Sequence, residues 1–107
     1  SADRIGLELV DGGCIGVFQG PRLESAAEVE KARRDGCDMA GMTSLPEAGL
    51  ARELGLDYAG IAVVSNWGAG VSDDLISEDD IAETLREPMS RVRALVKALV
   101  KTLSKME

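Results

Sequence analysis

Apolar residues between positions 14 and 66 come in three short blocks, at 14–19, 39–42 and 57–66. Each suits a strand, and the second is too short for a helix. The third contains Tyr58-Ala-Gly-Ile-Ala-Val-Val-Ser65. Such an almost unbroken apolar run predicts a strand buried on both faces, as in a sheet covered by helices. Between the blocks the pattern turns helical. Ser25-Ala-Ala-Glu28 is a capping box, with Ser25 at the N-cap and Glu28 at N3. The helix it opens runs through Ala32 to Asp35 and stops at Gly36. Pro46 suits the first position of a second helix, 46–54, which Gly55 ends. Ser77 caps a third. Beyond it Ile81, Leu85, Met89, Val92, Val96, Leu99, Leu103 and Met106 recur at threes and fours as one apolar stripe. Pro88 is predicted to divide this stretch into a short helix and a long one. Alternating strand and helix signals predict an α/β fold.

The first residues are less informative. Gly6 suits the end of a helix, and Asp11-Gly12-Gly13 is a turn signal. On the residues alone, 7–10 and 14–19 could form a hairpin around that turn.

Composition narrows the class. A chain of 107 residues suits one domain or part of one, and at 45% apolar but 3% aromatic its core is aliphatic. A net charge of −7 argues against nucleic acid and anionic membranes as partners. No apolar run approaches the roughly 18 residues of a membrane span, and the first ten residues do not read as a signal peptide. The expected location is the cytoplasm. Cys14 and Cys37 are therefore expected as reduced, buried, inert thiols. There is no histidine and no Cys-x-x-Cys, so neither a metal site nor a hydrolytic triad is expected.

If the three strands are neighbours, their ends bring together 19–24, Met42-Thr43 and Asn66. Ligands of open α/β sheets bind at such ends. Met42 and Thr43 also lead into a helix start, a geometry that suits an anion or a sugar. The groups there are a carboxylate, a thioether, a hydroxyl and a carboxamide. A carboxamide donates to one atom while accepting from another. Methionine offers a soft apolar face to a sugar or base. The set suits an uncharged heterocycle carrying a sugar. Taken singly, Glu24 reads as a helix-start charge, Met42 as core, Thr43 as a cap and Asn66 as a turn residue. Taken together they read as a site.

Gly20-Pro21-Arg22-Leu23-Glu24-Ser25, Gly41-Met42-Thr43-Ser44-Leu45-Pro46-Glu47 and Val64-Ser65-Asn66, in this order and spacing, resemble the trimeric purine nucleoside phosphorylase and methylthioadenosine phosphorylase family. The resemblance covers nearly the whole chain, which looks like the C-terminal portion of one α/β phosphorylase-type domain, 1–107, with a mixed sheet covered by helices and no second domain. It implies a helix end, a turn and then one strand over 1–19, in place of the hairpin. It also implies phosphorolysis of the purine–ribose bond, with inorganic phosphate as co-substrate and no cofactor. Glu24 then faces the purine N1–H, and Asn66, the catalytic residue, binds O6 and N7. Leu23 stands beside the base and Met42 against the ribose, while Thr43 sits near sugar and phosphate. Adenine-type members carry serine and aspartate at the positions of Glu24 and Asn66, so this pair implies a 6-oxopurine. Relatives acting on inosine often hold the 5′-hydroxyl with a histidine. Here Ile76 stands near that region, which implies a 5′-methylthio group and S-methyl-5′-thioinosine as substrate. The alternatives are a 5′-methylthioadenosine phosphorylase, or a catalytically silent nucleoside-binding or assembly fragment. The family's glycine-rich phosphate loop is not in these residues, so the 107-residue chain alone is expected to be inactive. The complete enzyme is expected to be a homotrimer.

Overall fold

Two three-residue strands, β1 (Ile15–Val17) and β2 (Met39–Gly41), pair side by side in the computed structural model, which describes residues 2–73, 75 and 77–106. The pairing is parallel, with Ile15 opposite Met39, Gly16 opposite Ala40 and Val17 opposite Gly41. Parallel strands need a crossover, and α1 (Ala26–Arg34) provides it. The ladder continues beyond both ends. The Phe18 N–H donates to the Gly41 carbonyl at 2.8 Å, and the Asp38 and Met39 N–H groups share the Cys14 carbonyl at 2.8 and 3.1 Å. The Cys14 N–H donates to the Asp38 carboxylate at 2.8 Å. No hairpin forms around Asp11-Gly12-Gly13: residues 7–10 are not a strand, and the partner of β1 is β2.

Helix α1 keeps both predicted ends. Ser25 Oγ accepts from the Glu28 N–H at 3.2 Å, and Glu28 Oε1 accepts from the Ser25 N–H at 3.0 Å. At the other end Gly36 takes φ +91° and the Cys37 N–H reaches back to the Ala32 carbonyl at 2.9 Å. Ser25→Ala removes the acceptor for the Glu28 N–H and is expected to lower stability by about 1 kcal/mol, read from the unfolding midpoint of the complete protein. Helix α2 (Glu47–Glu53) starts one residue later than expected, with Pro46 at its N-cap. Ala32 and Ala51 are the buried side chains of α1 and α2.

Cys14 and Cys37 are free thiols; Cys14 is exposed and Cys37 half-buried, against the expectation that both are buried. Cys14 stands one residue before β1, where its N–H is tied to the Asp38 carboxylate. Desolvation pushes the Cys37 thiol up, and a hydrogen bond with the Cys14 thiol adds to it.

The chain divides into two compact units. One comprises Gly12–Ala62 and Trp67–Leu75, and so holds β1, α1, β2 and α2. Within it the loop after Trp67 lies on α1: a Cβ on Gly68 would stand 2.9 Å from Val29 Cγ1. The other unit comprises Ser1–Asp11, Val63–Asn66 and Ile76–Glu107. In it a 3-10 turn, Asp3–Ile5, packs against α3 (Glu78–Ser104). Gly6 ends the turn in the left-handed region at φ 67°, as its position suggests.

Two stretches depart from expectation here. Helix α3 is continuous over 27 residues with Pro88 inside it. A proline deprives the helix of one N–H, and the turns on both sides carry the helix past that gap. The covered face also differs from the expected stripe. It follows Ile81, Leu85, Pro88, Val92, Leu95, Leu99 and Thr102, while Met89, Val96, Leu103 and Met106 are exposed. Leu95, 4% exposed, is its buried centre. The second stretch is residues 58–64, which are not a strand; Tyr58, Ile61 and Val64 are exposed. A strand exists only through a neighbouring backbone, and among the described residues the sheet consists of β1 and β2. No helix among the described residues is long and apolar enough to cross a membrane.

Candidate functional site

Parallel pairing sends the C-terminal ends of β1 and β2 to the same edge of the sheet. From β1 the chain continues through Phe18 and Gln19 into Gly20-Pro21-Arg22-Leu23-Glu24, and from β2 into Met42 and Thr43. The two exits touch. A Cβ on Gly20 would lie 2.8 Å from Met42 Sδ, so glycine at this position is what allows the thioether to lie against the loop. Met42 and Glu24 are half-buried, and Leu23 and Thr43 are exposed. The structure thus brings Met42 onto the loop that carries Leu23 and Glu24, with Thr43 next along the chain.

Asn66 belongs to the other unit. It is exposed and does not end a strand, contrary to the expectation for 57–66. Its Oδ1 accepts from the Ser65 hydroxyl at 2.6 Å. Ile76 lies outside the described residues.

The loop before α1 contains a pairing beyond those expected from the sequence. Arg22 binds Glu28 with both arms of its fork, Nη1 to Oε1 at 2.7 Å and Nη2 to Oε2 at 3.1 Å. Arg22 Nη1 also donates to the Leu23 carbonyl at 3.1 Å. The Arg22 guanidinium, and after it the Ser25 N–H, hold the Glu28 carboxyl down at about 2. Glu28 is therefore ionised throughout the neutral range. Arg22 is raised in turn, mainly by Glu28 and least by nearby Glu24. The signal was available: a forked cation precedes a carboxylate already turned back toward the N-cap by the capping box.

Two of the three sequence motifs meet at one sheet edge. Residues 1–101 match the family model described as the phosphorylase superfamily. The chain belongs to this superfamily. It is 48% identical over 107 residues to a protein from Xylella fastidiosa named "Probable S-methyl-5'-thioinosine phosphorylase", covering 99% of this chain and 40% of that protein. A protein of the same name from Xanthomonas campestris is 58% identical over 80 residues, 75% of this chain and 31% of its own length. A "Probable 6-oxopurine nucleoside phosphorylase" from Moorella thermoacetica is 38% identical over 96 residues, 90% of this chain and 37% of its own. The superfamily chain thus spans at most about two fifths of the length of these relatives.

Proposed function

We propose that these residues serve an enzyme that cleaves the N-glycosidic bond of a 6-oxopurine nucleoside with inorganic phosphate, S-methyl-5′-thioinosine being the preferred substrate. The products are the free purine and 5-methylthioribose 1-phosphate. The observation that carries this reading is the 48% identity, over 99% of the chain, to a relative named for that substrate. The chemistry of the residues supports it. Glu24 offers an acceptor for the purine N1–H, and Asn66 offers both a donor and an acceptor for O6 and N7. The leaving purine gathers negative charge in the transition state, so a group that hydrogen-bonds N7 more strongly there than in the ground state accelerates the reaction. In this reading Asn66 is the catalytic residue. Leu23 lies beside the base, Met42 against the ribose, Thr43 near sugar and phosphate, and Ile76 beside the 5′-methylthio group. The complete protein is a cytoplasmic homotrimer of single phosphorylase-type domains and needs no cofactor beyond phosphate.

The test is phosphate-dependent purine release by the complete protein from S-methyl-5′-thioinosine, inosine and 5′-methylthioadenosine. The expected order of kcat/KM places S-methyl-5′-thioinosine first and 5′-methylthioadenosine last. Highest efficiency with 5′-methylthioadenosine would replace the 6-oxopurine assignment with the adenine-type one. The purified 107-residue chain is expected to release no purine, because the family's phosphate loop is not in it.

A further inference from the structure

We propose that the Arg22–Glu28 ion pair is a positioning element that fixes the backbone on both sides of Glu24 and so aims the Glu24 carboxylate. The inference rests on the reading of Glu24 as the purine N1–H acceptor. The peptide group preceding the Glu24 Cα has its carbonyl, Leu23 O, bonded to Arg22 Nη1 at 3.1 Å. The peptide group following it has its N–H, that of Ser25, bonded to Glu28 Oε1 at 3.0 Å. These two anchors are one unit, because Arg22 Nη1 and Glu28 Oε1 also bond each other at 2.7 Å. Both backbone torsions of Glu24 are thereby tied to a single pair. Glu28 belongs to the first turn of α1, where the capping box holds it, so the anchor is referred to a helix and not to the loop.

The pair has a second effect. Glu24 and Glu28 both act on the Arg22 guanidinium, and Glu28 takes both arms of the fork. Both arms of the Arg22 fork are thus engaged by Glu28 and not by Glu24. A lysine at 22 could not span both oxygens and the Leu23 carbonyl in this way. The pair is largely exposed at Arg22, with 64% of that side chain accessible. Exposed pairs add little to global stability, so the consequence falls on local geometry.

The experiment is a double-mutant cycle in the complete protein, with kcat/KM for S-methyl-5′-thioinosine and the thermal midpoint read for Arg22→Met, Glu24→Ala and the double variant. Arg22→Met leaves Glu28 to serve the Ser25 N–H, so α1 keeps its cap. Arg22→Met alone is expected to lower kcat/KM about tenfold, because small misplacements of a binding group are costly. In the Glu24→Ala background the same change is expected to cost less than about twofold, since there is no carboxylate left to aim. The midpoint is expected to move by no more than about 4 °C. An equal factor in both backgrounds, or unchanged kinetics, overturns the positioning role while leaving the base-binding reading intact. Unchanged kinetics in Glu24→Ala itself overturns the base-binding reading and this inference with it. Should Arg22→Met fail to fold, Arg22→Lys takes its place in the cycle, with the same two backgrounds deciding.

Discussion

Glu24→Ala in the complete protein is expected to lower kcat/KM for S-methyl-5′-thioinosine by about fivefold to 150-fold at an unchanged melting temperature. If Glu24 holds the purine N1–H, the substitution removes that acceptor and leaves the N1–H unpaired. An unsatisfied group of that kind costs about 1–3 kcal/mol, and every 1.4 kcal/mol is roughly a factor of ten. Glu24→Gln keeps the size, and its amide can turn its oxygen to the N1–H, so a smaller loss is expected. If Glu24 only compensates the start of α1, both substitutions act on stability alone, by a few tenths to about 1 kcal/mol. Kinetics and melting temperature measured on the same two variants separate the cases. A lowered melting temperature with unaltered kcat/KM would leave the 6-oxopurine assignment without its main residue.

Asn66→Asp is expected to move preference from 6-oxopurine to 6-aminopurine nucleosides, with a roughly tenfold or larger fall in kcat/KM for the former. The cause is hydrogen-bond polarity. A carboxylate accepts from a 6-amino group and repels the O6 lone pairs, whereas the carboxamide donates to O6. The Ser65 hydroxyl donates to Asn66 Oδ1 at 2.6 Å, a bond that a carboxylate oxygen also accepts. The loss is expected in kinetics. The ratio of kcat/KM for S-methyl-5′-thioinosine to that for 5′-methylthioadenosine checks it, and an unaltered ratio would place Asn66 away from the base.

Much of the loop before α1 could be read directly from the residues. Ser25 and Glu28 form the capping box their spacing announces, and Gly36 closes the helix where its lack of a side chain permits φ +91°. Ser77 accepts the Asp80 N–H at the start of α3 for the same reason. The Arg22–Glu28 pair was only half legible: the forked cation and the turned-back carboxylate are both in the sequence, but they stand six residues apart and meet through the path of the chain between them.

By itself, then, the sequence determined the features whose partners lie within about one helical turn: caps, stops, and the apolar blocks that become β1 and β2. It also carried the match of residues 1–101 to the phosphorylase superfamily. Only the tertiary structure decided the rest, because each remaining feature needs a partner distant in the chain. The block 14–19 could have folded back on 7–10, and it pairs in parallel with β2 because α1 crosses over and Asp38 takes the Cys14 N–H. Residues 58–64 have the composition of a central strand, yet they form none, since a ladder requires a neighbouring backbone and not an apolar side chain. Pro88 removes one hydrogen bond from α3, and the helix runs on with its covered face centred on Leu95, one position from the Val96 that the apolar spacing selected. At the site, the parallel register brings the Gly20–Glu24 loop and Met42 to one edge, and the missing Cβ of Gly20 lets them touch.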